Sequence, residues 1–306
     1  MKLVTYLGPG GPARAGALVH DDRILDLAGA AHARGAELPS SVLALLDMGA
    51  DGLDTAATVA AQADRDDLPT LPLDQVRLLA PLPRPRKILA IAGNYAAHVA
   101  ESHLPALAKE QTTLRPFIKP ANSVIGPDGI VRFPRWSETL DYEAELAIVI
   151  GRTATAVSAR DAPACIAGYG VFNDISARTL TIAEGRTPRE GDRFYDWLAG
   201  KWFDTFASFG PAITTVDDVP DPHRLPLSLT VNGEQRQHAS TADMIFDCYE
   251  IVSFLSHLTT LEPGDVIATG TPSGVGSATG TYLKPGDVIE ATIGTLGTLR
   301  NVMAVD

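Results

Sequence analysis

The run DYEAELAIVIG, residues 141–151, constrains this chain more than any other stretch. Leu146, Ile148, Val149 and Ile150 form an apolar, largely β-branched segment, and Gly151 closes it, which is the pattern of a β-strand. Side chains alternate between faces along a strand, so Glu143 and Glu145 project to the same side. Two carboxylates held side by side repel each other. At neutral pH the pair is stable only with a shared proton or with a cation between them. In isolation such a pair is more often the wet face of an edge strand than a site. Other parts of the chain shift that balance.

A chain of 306 residues predicts one large domain, or one domain with a small companion, and a substantial core. Lys and Arg total 25 against 37 Asp and Glu, a net charge of −12, which argues against a nucleic-acid partner because that affinity rests on neutralising phosphates. The two cysteines, Cys165 and Cys248, are too few for a disulfide framework and lack metal-ligand spacing. No apolar run reaches the roughly 20 residues of a membrane span, and MKLVTYLGPG does not read as a signal peptide. These features predict a soluble, cytoplasmic protein.

In the first 68 residues KLVTYLGPGG and ALVHDDRILDL read as a hairpin. SSVLALLDMG and DGLDTAATVAAQAD read as helices, capped by Ser40 or Ser41 and by Asp51 or Asp54, with Gly49 as a stop. Prolines at 69, 72, 81, 83 and 85 then predict an extended connector. The predicted organisation is a small N-terminal α/β domain over 1–70, a Pro-rich connector over 71–86, and a catalytic domain over 87–306.

KILAIAGNYAAHVAE reads as a buried strand, a turn and a helix on which His98 and Glu101, three apart, face each other. A carboxylate beside an imidazole orients the ring and raises its basicity, as a general base requires; an inconsequential surface pair has the same spacing. Lys119 in RPFIKP has a solvated charge as its default reading. The segment GYGVFND ends in Asp174, one connection after the central strand, so its carboxylate can join Glu143 and Glu145 in an all-oxygen site suited to Mg²⁺ or Mn²⁺. Residues 179–200 are polar and aperiodic, which predicts a long loop with at most one helical turn. Lys201, which closes it, is either an exposed charge or a group that stabilises an enolate beside the ion. Asn232-Gly233 predicts a hairpin, and TADMIFDCYEIVSFLSHLTTL a helix with Thr241 as N-cap. LEPGDVI and LKPGDVI repeat one turn chemistry, and the glycine-rich ATGTPSGVGSATG between them lacks the GK[ST] of a phosphate loop. It either offers backbone amides and Thr271 to a ligand or simply turns.

In combination GNYAAHVAE, RPFIKP, LDYEAELAIVIG, AGYGVFNDISAR, GKWFDTFASFGP, VNGEQRQ, MIFD, LEPGDVIATGTPSGVG and GTLRN resemble the fumarylacetoacetate hydrolase family, in that family's order over residues 80–306. The resemblance implies an α+β, β-rich fold: a mixed β-sheet roll of the family's C-terminal type behind the small N-terminal domain. It implies a homodimer and a divalent-metal site (Mg²⁺ or Mn²⁺) formed by Glu143, Glu145 and Asp174. It also implies a catalytic set of His98, Glu101 and Lys201, with Lys119, Arg178 and Thr271 at substrate. The implied activity is hydrolysis of a C–C bond in a 2,4-dioxo acid of acylpyruvate type. The alternatives are decarboxylation or enol–keto isomerisation of an oxaloacetate-type diacid on the same metal platform, and a non-catalytic binding protein. One departure stands where the family commonly reads ARDLQ: this chain has Ala177-Arg178-Thr179-Leu180-Thr181, followed by a longer loop.

Overall fold

The computed structural model describes residues 1–63, 68, 70–101, 108–181 and 185–305. Pro69, residues 64–67 at the predicted domain boundary, and residues 182–184 of the predicted loop lie outside this set.

The strand Ala144–Ile150 is central, as its apolar run demands. It pairs antiparallel with Ile166–Asp174 on one side and with Val266–Ala268 on the other. Ala144, Leu146, Ile148 and Ile150 point into one core, where Leu229, Ile289 and Leu299 of a second sheet meet them. Ala147 and Val149 point the opposite way, into a core shared with Phe172, Phe209 and the helices Val42–Asp47 and Gly49–Ala61. Burial on both faces explains why the run is nearly continuous in apolar residues rather than alternating. The second sheet runs Glu234–Ser240, Pro226–Val231, Val288–Ile293, Gly297–Ala304, Ile130–Arg132. Both sheets mix parallel and antiparallel pairs, so the architecture is β-rich α+β.

The N-terminal strands Lys2–Leu7, Ala13–Val19 and Arg23–Asp26 form a meander, one strand beyond the predicted hairpin. Lys2 and Leu3 pair with Thr214 and Ile213, so the meander extends the same sheet that carries the central strand. Within the Pro-rich stretch, Thr70–Pro72 pairs with Arg23–Asp26, and Arg77–Leu79 pairs with Lys2–Leu7. At these points the extended connector is paired into the sheet. Gly49, with φ of 67°, does separate two helices, but the second begins at once and has no side-chain cap.

Turn chemistry follows the sequence closely. Gly264 and Gly286 carry φ of 85° and 92°, as the third position of a type II turn requires. In both copies the aspartate after the glycine donates its amide back three residues (3.0 and 3.1 Å) and accepts a return bond of 2.7 Å on its carboxylate. The last long helix differs from expectation: it is Cys248–Leu258, and Thr241 lies in a short 3₁₀ turn. Asp247 caps it, accepting from the Tyr249 and Glu250 amides at 2.8 and 2.9 Å, while Glu250 accepts from the Asp247 amide at 2.9 Å. This reciprocal box satisfies amides that Thr241 would have left open. Asp247→Ala should therefore lower stability by about 1–2 kcal/mol. Urea unfolding would show this as a lower midpoint with unchanged slope; an unchanged midpoint would mean the box carries nothing.

Candidate metal centre and its cavity

Strand register assembles the acidic cluster. Glu145 stands opposite Phe172 and Ala144 opposite Asn173, so the next residue outward, Asp174, falls opposite Glu143. The Asp174 amide donates to the Glu143 carbonyl at 2.9 Å, and the Asn173 side chain accepts from the Glu143 amide at 3.0 Å. Residues opposite one another on antiparallel strands face the same way. All three carboxylates therefore share one face, are buried, and offer oxygens within 4.8 Å of one another.

Three basic side chains surround this cluster. The Lys201 ammonium donates to Glu143 Oε2 at 2.7 Å and to Asp174 Oδ2 at 2.8 Å. Lys119 pairs with Asp174 and also donates to the carbonyls of Ile175 (3.2 Å) and Lys201 (2.7 Å). Arg178 spans Asp141 Oδ2 at 2.7 Å and Glu143 Oε1 at 2.6 Å. Burial disfavours charge on Glu143, but Lys201 and Arg178 outweigh it and hold the carboxyl down at about 2. Glu145 goes the other way: burial, then Asp174 and Glu143, push it well above the ordinary carboxyl range. It accepts a 2.7 Å bond from the Gly270 amide, and among the described residues no basic group is bonded to it. An all-oxygen donor set with one uncompensated carboxylate fits a hard divalent cation such as Mg²⁺ or Mn²⁺.

The glycine-rich segment holds acids rather than phosphate. Besides Gly270, the Gly274 amide donates to Glu101 Oε1 at 2.6 Å. The amides of Gly276 and Ser277 donate to Asp141 at 2.6 and 2.9 Å. Gly274 has φ of 101°, and a Cβ there would overlap the Arg236 carbonyl oxygen, so the close approach needs glycine. The second oxygen of Glu101 meets His98 Nδ1 at 2.9 Å, on the short helix Ala96–Glu101. The imidazole is thus oriented by a carboxylate that is itself anchored.

His98, Glu143, Glu145, Arg178, Lys201 and Thr271 all line one small chamber of about 80 Å³. Beside it lies a cavity of about 940 Å³ that shares His98, Arg178 and Trp197 with the chamber. Glu101 lines the larger space. Thr271 donates to the Ala144 carbonyl at 3.0 Å and accepts from Gln237 at 2.8 Å, which fixes its hydroxyl at the chamber wall.

One residue and one segment differ here from the sequence-based expectation. Lys119 is fully buried with its ammonium bonded to protein acceptors, so it supports Asp174 rather than facing solvent or substrate. The polar stretch before Lys201 ends in a helix of two turns, Asp192–Ala199, whose Trp197 packs edge-on against Phe117, ring centres 5.1 Å apart. Lys201 stands 5.3 and 5.8 Å from the centres of these two rings. Asp141 and Gln237 were not singled out from sequence. Asp141 sits in the same LDYE run as Glu143, and Gln237 in VNGEQRQ, so both belong to the family-like motifs of the sequence.

Three buried carboxylates at the end of paired central strands, beside an anchored His–Glu dyad, form a cluster that could hold a metal ion. The sequence profile described as "Fumarylacetoacetate (FAA) hydrolase C-terminal" matches residues 87–304, and the chain belongs to the fumarylacetoacetate hydrolase family. It is 38% identical over 266 residues to oxaloacetate tautomerase FAHD2A, mitochondrial, of Bos taurus, covering 86% of this chain and 80% of that protein. A fumarylacetoacetate hydrolase from psychrophilic Exiguobacterium antarcticum superposes with a TM-score of 0.81 at 34% identity, covering all of both chains. Maleylpyruvate hydrolase from Sphingobium sp. SYK-6, solved with manganese(II) and pyruvate, superposes at 0.76 with 30% identity over 100% of this chain and 99% of that one. Members of this family are enzymes. Among the described residues no helix is long and apolar enough to cross a membrane.

Proposed function

We propose that this protein is a divalent-metal-dependent enol–keto tautomerase of a 2-oxo diacid of the oxaloacetate type. The observation that carries the reading is the placing of His98 in one chamber with Glu143, Glu145 and Lys201. The extent of identity to an oxaloacetate tautomerase supports the substrate class.

Glu143, Glu145 and Asp174 would hold the metal, which when bound supplies Lewis acidity toward a 2-oxo carboxylate. His98, kept in one orientation by Glu101, moves a proton at the carbon beside the oxo group. Lys201 has three donors and gives two to Glu143 and Asp174, leaving one for negative charge developing on the oxo oxygen. Arg178 has five donors, and those not committed to Asp141 and Glu143 are available to the substrate carboxylate. Thr271 closes the chamber wall.

A second reading, hydrolysis of an acylpyruvate, is favoured by the His98–Glu101 dyad, which is equally suited to deprotonating water, and by the likeness to a maleylpyruvate hydrolase. The two separate cleanly. With Mn²⁺ present, the tautomerase reading expects faster ketonisation of enol-oxaloacetate and no pyruvate from an acylpyruvate. Pyruvate release without accelerated ketonisation would support the hydrolase instead. Tight metal and ligand binding with neither activity would leave a non-catalytic protein.

A further inference from the structure

A chain with net charge −12 places four guanidiniums around one cavity. Arg178, Arg186, Arg189 and Arg193 line the 940 Å³ space beside the acidic chamber. Their commitments differ. Arg178 is bonded to Asp141 and Glu143, and Arg186 is paired with Asp196. Arg189 stands 3.5 Å from Asp192, a loose pair with the arginine side chain 84% exposed. Arg193 has no hydrogen bond or ion pair among the described residues. It sits in the first turn of the helix Asp192–Ala199, where a cation opposes the helix dipole and so does nothing for the element that carries it.

The chamber, about 80 Å³, is less than a tenth of the neighbouring cavity of about 940 Å³ and is the small compartment that takes a metal and the oxo-carboxylate head of a substrate. Whatever follows that head must lie in the larger cavity, past His98, Arg178 and Trp197. Arg193 lines that larger cavity with its guanidinium bonded to none of the described residues.

We infer that Arg193, with Arg189 beside it, is a specificity-determining residue that binds a second carboxylate at the distal end of the substrate. The inference deepens the proposed function and rests on its placing of the oxo-carboxylate head in the acidic chamber. It assigns the larger cavity to dianionic 2-oxo acids and against 2-oxo acids with a neutral tail. A charge-assisted guanidinium–carboxylate bond is worth roughly tenfold in affinity.

The test is calorimetric titration of the Mn²⁺-loaded protein with two pairs of probes matched in chain length: 2-oxoglutarate with 2-oxopentanoate, and 2-oxoadipate with 2-oxohexanoate. The wild type should bind the diacid of at least one pair about tenfold or more tightly than its neutral-tailed partner. Arg193→Gln should reduce that preference to within about threefold and leave monoacid affinity unchanged, and Arg193→Lys should restore part of it. Because Arg193 is exposed, neither change threatens the fold. A preference that survives Arg193→Gln, or no preference in the wild type, overturns the assignment. Ketonisation of enol-oxaloacetate, followed separately, reports on the reaction. Diacid preference without turnover would sink the tautomerase reading and leave the carboxylate site standing.

Discussion

Glu145→Gln should make the metal-free protein more stable while removing most of its metal affinity and its activity. The two effects have opposite signs because the carboxylate has no basic partner of its own. It is 1% exposed, faces Asp174 and Glu143, and is pushed toward the neutral form first by burial and then by those two charges. A neutral amide of the same shape keeps an oxygen for the Gly270 amide and ends the repulsion. A gain of about 1–2 kcal/mol, or roughly 1.5–3 °C in melting temperature for a chain of 306 residues, is expected without metal. With metal the order reverses. Saturation at a thousand times Kd stabilises the wild type by about 4 kcal/mol, whereas a hundredfold weaker site keeps only about 1.4 kcal/mol at the same concentration. Melting curves with and without Mn²⁺ would therefore cross between wild type and variant. If the variant melts lower in both conditions, Glu145 is a structural acid with compensation not visible in its surroundings.

His98→Ala should lower kcat by about 10²–10⁴-fold, the usual worth of a positioned acid–base group, with Mn²⁺ affinity within about twofold of wild type. The split follows from placement. The imidazole lines the chamber but is not among the oxygens that converge there, and its Nδ1 is taken by Glu101. Glu101→Gln should act in the same direction more weakly, since it disturbs the ring's orientation and leaves the ring in place. Near-normal turnover by His98→Ala would put the proton-transfer group elsewhere, with Lys201 the next residue to examine. A large loss of Mn²⁺ affinity would instead make His98 a ligand.

What the sequence made legible is whatever depends on short-range periodicity. The period of a strand put Glu143 and Glu145 on one side, and the period of a helix put His98 against Glu101. The Pro-Gly and Asn-Gly turns were equally readable, because positive φ selects its residues locally. Harder to read were the effects of distant packing. Lys119 looks solvated in RPFIKP, yet Asp174 and the carbonyls of Ile175 and Lys201 receive its ammonium from more than 50 positions away. Asp141 acquires its role from the amides of Gly276 and Ser277, 135 and 136 residues on. The helix Asp192–Ala199 is short and follows a polar, aperiodic run, and only its Trp197 and Leu198 pack against the core, so its period is hard to see in the sequence. The helix start is local after all: Asp247 and Glu250 spell a capping box in the sequence itself, six residues beyond Thr241.

The proposed chemistry depends most directly on a single cation lying between Glu143, Glu145 and Asp174. Anomalous diffraction from crystals soaked in Mn²⁺ measures this without reference to any substrate. The expected result is one strong peak at coordination distance, about 2.0–2.6 Å, from a carboxylate oxygen of each of the three residues. A peak elsewhere, or Lys201 still bridging Glu143 and Asp174 with no ion beside Glu145 at saturating Mn²⁺, would contradict it.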